Sequence, residues 1–378
     1  MTPDSSRLLQ PHLYHRRVQI ELTTDCNLRC IYCALSDPGY QAAHMADDVF
    51  HKITELCRQG EVEVINVSGH GESTGIPDWQ EKITALLDAG FKLQISTNAA
   101  NPWSWDDADL MSRFVHVMVS VDTADPDLLR QLRRKVDLRT ISHNITLIRA
   151  AAARAGRPAP RLGLTGVLSD RSVVGLDRLV ALASALGCEV NLSNLIELHG
   201  ISENPPRSLF SLSGEALAQA HMEYVRATET AARLKVPLNI HPNLRSYLDA
   251  APSHGFQGKA TLSAWERNFK GCTLSQYVTA SDALQPGETR NCLDPWSMLY
   301  FAVDGTIHPC CLSHLDPLCH VGDVDSLEQI YSMPRSRAYR QGLIEGRPPT
   351  PCIACIGRSR VPIQDYAHIV EQSFPTKP

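Results

Sequence analysis

Cys26-Asn27-Leu28-Arg29-Cys30-Ile31-Tyr32-Cys33 puts three cysteines into eight residues, at spacings of four and then three. The segment before it, Val18-Gln19-Ile20-Glu21-Leu22, alternates apolar and polar residues as a strand does. The three thiols therefore ride on a loop leaving a strand end, near enough together to grip one metal centre. A four-iron cluster has four corners, and cysteine thiolates normally hold all of them. Three local thiolates leave one iron open, much as a catalytic zinc keeps an open position. A zinc site usually reads as paired C-x2-C units, which C-x3-C-x2-C does not. Tyr32, just before the last cysteine, adds a ring placed to pack on a ligand.

The CNLRCIYC stretch resembles the signature of the radical S-adenosylmethionine (radical SAM) superfamily. The resemblance implies that the open iron chelates the amino and carboxylate groups of SAM. It also implies that the reduced cluster passes an electron to the sulfonium, releasing methionine and a 5'-deoxyadenosyl radical. Spacing alone gives only a cluster with one differentiated iron.

From residue 18 to about 240, strand and helix patterns alternate. The strands read as Val18–Leu22, Val62–Val67, Phe91–Ser96, Val115–Val121, Arg161–Leu168 and Glu189–Leu195. Helical stretches run over Asp47–Gln59, Asp78–Ala89, Asp106–Ser112, Leu138–Ala155 and Val173–Leu186. This rhythm predicts an α/β fold with a parallel sheet and helices outside it. Six units fall short of a complete eight-fold barrel. The radical SAM family is similar, being a partial (β/α)6 barrel.

Active sites of such barrels lie at the C-terminal strand ends. After the second strand comes Ser68-Gly69-His70-Gly71-Glu72, in which Gly71 and Glu72 match the family's Gly-Gly-Glu motif for the SAM ammonium. This copy departs from the common form, with His70 inside it and Ser73 where proline is usual. After the third strand, Ser96-Thr97-Asn98 is similar to the family's Thr-Asn stretch, so Ser96 and Asn98 are cofactor candidates. After the fourth, Ser120 and Asp122 carry short polar groups suited to ribose hydroxyls or a carboxylate. In the fifth, Gly163-Leu164-Thr165-Gly166 is a place for adenine to approach the backbone beside Thr165. Turn and cap chemistry is the plain alternative at each of these positions. Trp103 and Trp105 belong to ordinary packing or to the cavity mouth, and Cys57 and Cys188 read as core residues.

The later chain carries Cys292, then Gly305 and, with four residues between, Cys310, then Cys352-Ile353-Ala354-Cys355. Asp304-Gly305 is a hairpin signal between Met298–Val303 and Thr306–Pro309. The hairpin brings Cys292 and Cys310 towards each other, and the C-x2-C pair supplies the other half of a four-thiolate site. By spacing, zinc and iron–sulfur are comparable. The opening resembles the SPASM/Twitch domains of radical SAM proteins, which favours an auxiliary [4Fe-4S] cluster. No cysteine follows Cys355, which points to the shorter Twitch form, a small β-hairpin/helix domain. The arrangement is similar to the 2-deoxy-scyllo-inosamine dehydrogenases. Cys272, Cys311 and Cys319 are left over, the last two being candidate hydrogen-atom donors.

The expected organisation is an N-terminal extension (1–16), a partial barrel (17–240), a bridging segment (241–291), the Twitch/SPASM-like domain (292–365) and a tail (366–378). A composition of 43% hydrophobic and 20% charged residues fits a globular protein, and a net charge of -5 gives no basic footprint for nucleic acid. No apolar run approaches the roughly 18 residues of a membrane span, and the N-terminus lacks the basic and apolar regions of a signal peptide. A cytoplasmic setting is expected, with flavodoxin or ferredoxin as reductant. The leading functional expectation is a radical SAM oxidoreductase acting on a small polar substrate such as a sugar or aminocyclitol. A radical epimerase and a peptide-modifying enzyme are the alternatives, and a zinc-binding module without activity the remote one.

Overall fold

A computed structural model describes residue 9 and residues 17–257, 262–269, 272–279, 284–311, 316–353, 355 and 357–374. The rest of the N-terminal extension, the last four residues of the tail and the Cys272 side chain lie outside the described residues.

The strands in chain order are β1 (Arg17–Ile20), β2 (Val64–Asn66), β3 (Lys92–Thr97), β4 (His116–Ser120), β5 (Arg161–Leu168), β6 (Glu189–Asn194), β7 (Leu198–His199), β8 (Leu238–Ile240), β9 (Leu262–Phe269), β10 (Cys272–Thr279), β11 (Glu288–Arg290), β12 (Leu299–Phe301), β13 (Thr306–His308), β14 (Cys319–His320) and β15 (Arg360–Pro362). The main sheet is ordered β14-β13-β12-β1-β2-β3-β4-β5-β6-β8. From β12 to β8 every neighbouring pair is parallel. This is an α/β fold with a parallel sheet, as the strand–helix rhythm predicts, and the short strands β8 at one edge and β12 at the other extend the six barrel strands.

One sheet face lies under helices. Leu93, Ile95 and Thr97 of β3 and Val117 and Val119 of β4 are buried on it. The alternate residues, Gln94 and Ser96, then His116, Met118 and Ser120, line the other face, which is polar and only partly buried. Parallel sheets usually bury both faces in apolar side chains, so this inner face is shaped for polar company.

The helices follow the expected amphipathic logic. Asp47–Gln59 starts on two acidic residues, ends on Arg58, and buries Phe50, Ile53, Leu56 and Cys57. A helix the sequence reading passed over, Pro126–Arg133, is capped by Asp125, whose side chain accepts from the Asp127 and Leu128 N–H groups. It delivers Arg133 to the core.

Two regions differ from expectation. The hairpin around Gly305 is part of the main sheet, because Val18, Gln19 and Ile20 pair with Leu299, Tyr300 and Phe301. The bridging segment, which lies beyond the strand–helix rhythm, contains a helix at Pro242–Ala250 and the β9–β10 hairpin, which pairs with β7 in a three-stranded sheet. At the far edge of the barrel, His241 after β8 bonds the Gly357 carbonyl at 3.1 Å. The C-terminal segment thus reaches back to the β8 side of the open sheet.

Candidate active site

The cysteine loop leaves β1 and is pinned by backbone bonds, Thr24 N–H to Ala43 O at 2.9 Å and Ile31 N–H to Leu132 O at 2.9 Å. Burial pushes the Cys26 thiol up to about 11 and the Cys30 thiol to about 12, and the thiols of Cys26, Cys30 and Cys33 act on one another's charge. Such thiols become thiolates when a metal supplies compensating charge. The Leu28 N–H (3.4 Å) and Asn98 Nδ2 (3.6 Å) donate to Cys26 Sγ, the kind of bond that tunes iron–sulfur sites. Among the described residues no three potential ligands are gathered tightly enough for a single metal ion. The interacting thiols fit the corners of a larger group.

The turn after β2 docks on this loop. Gly71 N–H donates to Thr23 O at 3.3 Å and Glu72 N–H to Asp25 O at 2.7 Å. A Cβ on Gly71 would stand 2.2 Å from Asp25 O, which is why glycine occupies that position. Glu72 is buried and accepts from Thr74 N–H (3.1 Å), the Thr74 hydroxyl (2.8 Å), the Thr97 hydroxyl (2.8 Å) and Asn98 N–H (2.6 Å). Three of those bonds fall on Oε1, and Oε2 takes the fourth, so Oε2 retains capacity for an ammonium donor. Glu72 and Asn98 therefore join the loops after β2 and β3 directly to Cys26. Ser96, Ser120 and Thr165 lie on the polar inner face, with Ser120 and Thr165 directly paired.

Asp122, expected to face ribose hydroxyls or a carboxylate, lies in the core against Arg133. Its carboxylate is fully buried and accepts from Arg133 Nε (2.8 Å) and Nη2 (2.7 Å), the Tyr32 hydroxyl (2.5 Å) and Val167 N–H (2.9 Å). All its accepting capacity is committed to the protein, and none faces a ribose. The physical reason is Arg133, a buried guanidinium that needs a bidentate partner. Tyr32 is tied to the same pair by its hydroxyl, and burial holds it as the neutral phenol.

Sequence reading missed a third cluster. Glu21, fully buried one residue past β1, accepts from His70 N–H (2.9 Å), His70 Nδ1 (2.5 Å) and Val303 N–H (3.2 Å). Burial raises its pKa, but His70, with Tyr300 adding to it, outweighs burial and brings the carboxyl down to about 2. The His70 ring meets Tyr300 of β12 edge-on at 6.5 Å. A glutamate alternating with apolar residues is the only local sign of this buried acid.

In the C-terminal part, Cys292 is buried, and Cys310 and Cys311 directly follow β13. Cys292 and Cys352 act on one another's charge, as do Cys352 and Cys355, and Cys355 and Cys311. Burial raises all four. Cys319 sits on β14 and packs against the main core. Of the two candidate hydrogen donors, only Cys311 is among the auxiliary thiols. Trp103 is buried, whereas Trp105 is exposed and stacks on Arg154 at 5.6 Å.

Residues 20–155 match the radical SAM superfamily and residues 292–356 match SPASM, an iron–sulfur cluster-binding domain. The two domains bring SAM and [4Fe-4S] clusters as cofactors. Mycofactocin maturase MftC of Mycobacterium tuberculosis is 26% identical over 180 residues, covering 46% of this chain and 43% of that protein, so the match spans less than half of either. Streptococcus suis SuiB bound to precursor peptide SuiA superposes with a TM-score of 0.57 at 14% identity, over 85% of this chain and 66% of that one. Native anSMEcpe with bound AdoMet and Cp18Cys peptide superposes with a TM-score of 0.56 at 12% identity, over 95% of each chain. At these identities the superpositions establish the fold. The narrower likeness to 2-deoxy-scyllo-inosamine dehydrogenase is not shown by them. No helix among the described residues is long and apolar enough to cross a membrane.

Proposed function

We propose that this chain, built on a radical SAM domain and a SPASM domain, is an enzyme that modifies a peptide. The observation that carries the reading is the superposition, through both domains, on SuiB and anSMEcpe, each solved with a peptide. This replaces the small polar substrate favoured from sequence. The polar inner face suits a peptide's polar side chain or backbone entering from the C-terminal strand ends.

In this reading Cys26, Cys30 and Cys33 hold the SAM-binding cluster, and Cys292, Cys310, Cys352 and Cys355 hold the auxiliary one. When bound, the first cluster supplies the electron that cleaves SAM to a 5'-deoxyadenosyl radical. Glu72 receives the SAM ammonium on Oε2, while Asn98 fixes both Glu72 and Cys26. Ser96, Ser120 and Thr165 offer hydroxyls from the inner face. The Asp122–Arg133 pair holds Tyr32 and the cysteine loop in place. Flavodoxin or ferredoxin serves as reductant in the cytoplasm, and oxidation is the favoured outcome.

The test is an anaerobic assay of reconstituted protein with SAM and dithionite. One arm adds a peptide encoded beside this chain's gene and the other adds 2-deoxy-scyllo-inosamine. Faster 5'-deoxyadenosine release with the peptide, together with a peptide two hydrogens lighter, supports the reading. Oxidation of the aminocyclitol with the peptide unchanged overturns it. A peptide of unchanged mass in ordinary water that gains one deuterium in deuterated solvent selects epimerisation, with Cys311 as donor.

A further inference from the structure

We propose that Arg290 is the positioning residue of the auxiliary site. It fixes the loop bearing Cys352 and Cys355, and its charge makes the group bound there easier to reduce. The proposal rests on the reading that these cysteines hold a second cluster.

Arg290 ends β11, two residues before Cys292, and is 1% exposed. Its Nε donates to Cys352 O at 2.9 Å, Nη2 to Ile353 O at 2.6 Å and Nη1 to Arg358 O at 3.2 Å. Cys352 and Ile353 close the one-turn helix Thr350–Ile353, whose last carbonyls find no partner within so short a helix. The planar guanidinium reaches those carbonyls and a third beyond Cys355 at once, which a lysine ammonium cannot span. The strand beneath is held independently. Thr289 pairs with Val361 and Arg290 with Arg360, and Asn291 N–H donates to Ser359 O at 2.9 Å. One side chain therefore connects the strand leading to Cys292 with the loop carrying the two last cysteines.

The charge matters because Cys292 is buried and Cys352 and Cys355 are half-buried. Burial pushes the Cys352 thiol up to about 12, and Arg290 opposes that rise at both Cys352 and Cys355. Arg358 adds a second guanidinium near Cys292, itself held by Asp294 at 2.7 and 2.8 Å. At Cys352 the Arg290 guanidinium works against the carboxylates of Asp294 and Asp316, so removing it leaves the sulfur facing the acids alone. A positive field stabilises added electron density on an iron–sulfur group and raises its potential.

The experiment uses full-length reconstituted protein with Arg290→Met and Arg290→Lys. It reads iron per chain after desalting, and the potential by EPR-monitored titration. Wild type should hold about eight irons, two four-iron groups. Arg290→Met should fall towards about four, with the remaining signal still perturbed by added SAM. Any auxiliary signal it keeps should titrate at lower potential. Arg290→Lys should lose auxiliary iron too but keep the wild-type potential in the fraction retained. Eight irons and an unshifted potential in Arg290→Met overturn the proposal, as does loss of both groups together, which would make Arg290 a general core residue. Four irons in wild type would instead overturn the two-cluster reading beneath it.

Discussion

The loops around Cys26–Cys33 and Cys352–Cys355 each lean on a buried arginine, and the two arginines are answered differently. Arg133 meets the carboxylate of Asp122 in a two-point pair, and Tyr32 completes the knot. Arg290 meets backbone carbonyls. The Arg133–Asp122 pair serves as scaffold, while Arg133 also opposes the rise of the Cys30 and Cys33 thiols. Arg290 likewise opposes the rise of the Cys352 and Cys355 thiols. Both cysteine groups thus keep a guanidinium beside their sulfurs, the first oriented by a carboxylate and the second by backbone carbonyls.

The widest break in that comparison is removal of the first thiols. Cys26, Cys30 and Cys33 all changed to alanine should abolish 5'-deoxyadenosine formation and leave about four irons, those of the auxiliary group. Iron analysis beside nucleoside chromatography checks this, and persisting nucleoside release would sink the assignment.

Next comes Asp122→Ala, which strands Arg133 without its partner. Breaking a buried pair from one side costs about 3–5 kcal/mol, so the denaturant midpoint of the whole chain should fall. A change confined to the first cluster, with global stability intact, would mean the pair is not part of the core scaffold.

Glu21 joins barrel to hairpin through His70 and Val303, and its effect depends on pH. Its carboxyl is brought from the ordinary 4.5 to about 2, so its stabilisation is full above about pH 4.5 and lost as pH falls towards 2. The shift corresponds to roughly 3 kcal/mol. Stability of wild type should drop more steeply across that window than stability of Glu21→Gln; parallel curves would remove Glu21 from the account.

The smallest effect belongs to Lys52 and Asp325, which pair at 3.4 Å between a barrel helix and the C-terminal part, with Asp325 91% exposed. Such a pair contributes about 0–1 kcal/mol, so Asp325→Ala should leave the melting curve nearly unmoved. A large loss would show that surface charge, rather than the β1–β12 ladder, holds the two parts together.

The fold was readable because its signals are periodic and local. The helix Asp47–Gln59 and the strand Arg161–Leu168 fall where the pattern put them. The cysteine spacings were readable for the same reason. What escaped is long-range charge matching. Asp122 looked like a ligand group because a short acid at a strand end usually faces a cavity, and its partner sits on the overlooked helix Pro126–Arg133. Asp125-Pro126 was a legible helix start. Glu21 and Arg290 had no such flag, since their partners come from distant loops. The β9–β10 hairpin escaped because it lies beyond the strand–helix rhythm that organised the reading.

The ladder between β1 and β12 also sets a timetable. Val18 pairs with Leu299, and the ribosome delivers that partner on the order of 280 residues later, tens of seconds at about 5–20 residues per second. Until then one edge of β1 lacks its neighbour, an opening for wrong strand pairing. Glu21 meanwhile waits for the Val303 N–H that arrives with the same segment. The cysteine loop, by contrast, meets its supports at Ala43, Asn98 and Leu132 early in synthesis, so it is the edge of β1 rather than the loop that waits for the late segment.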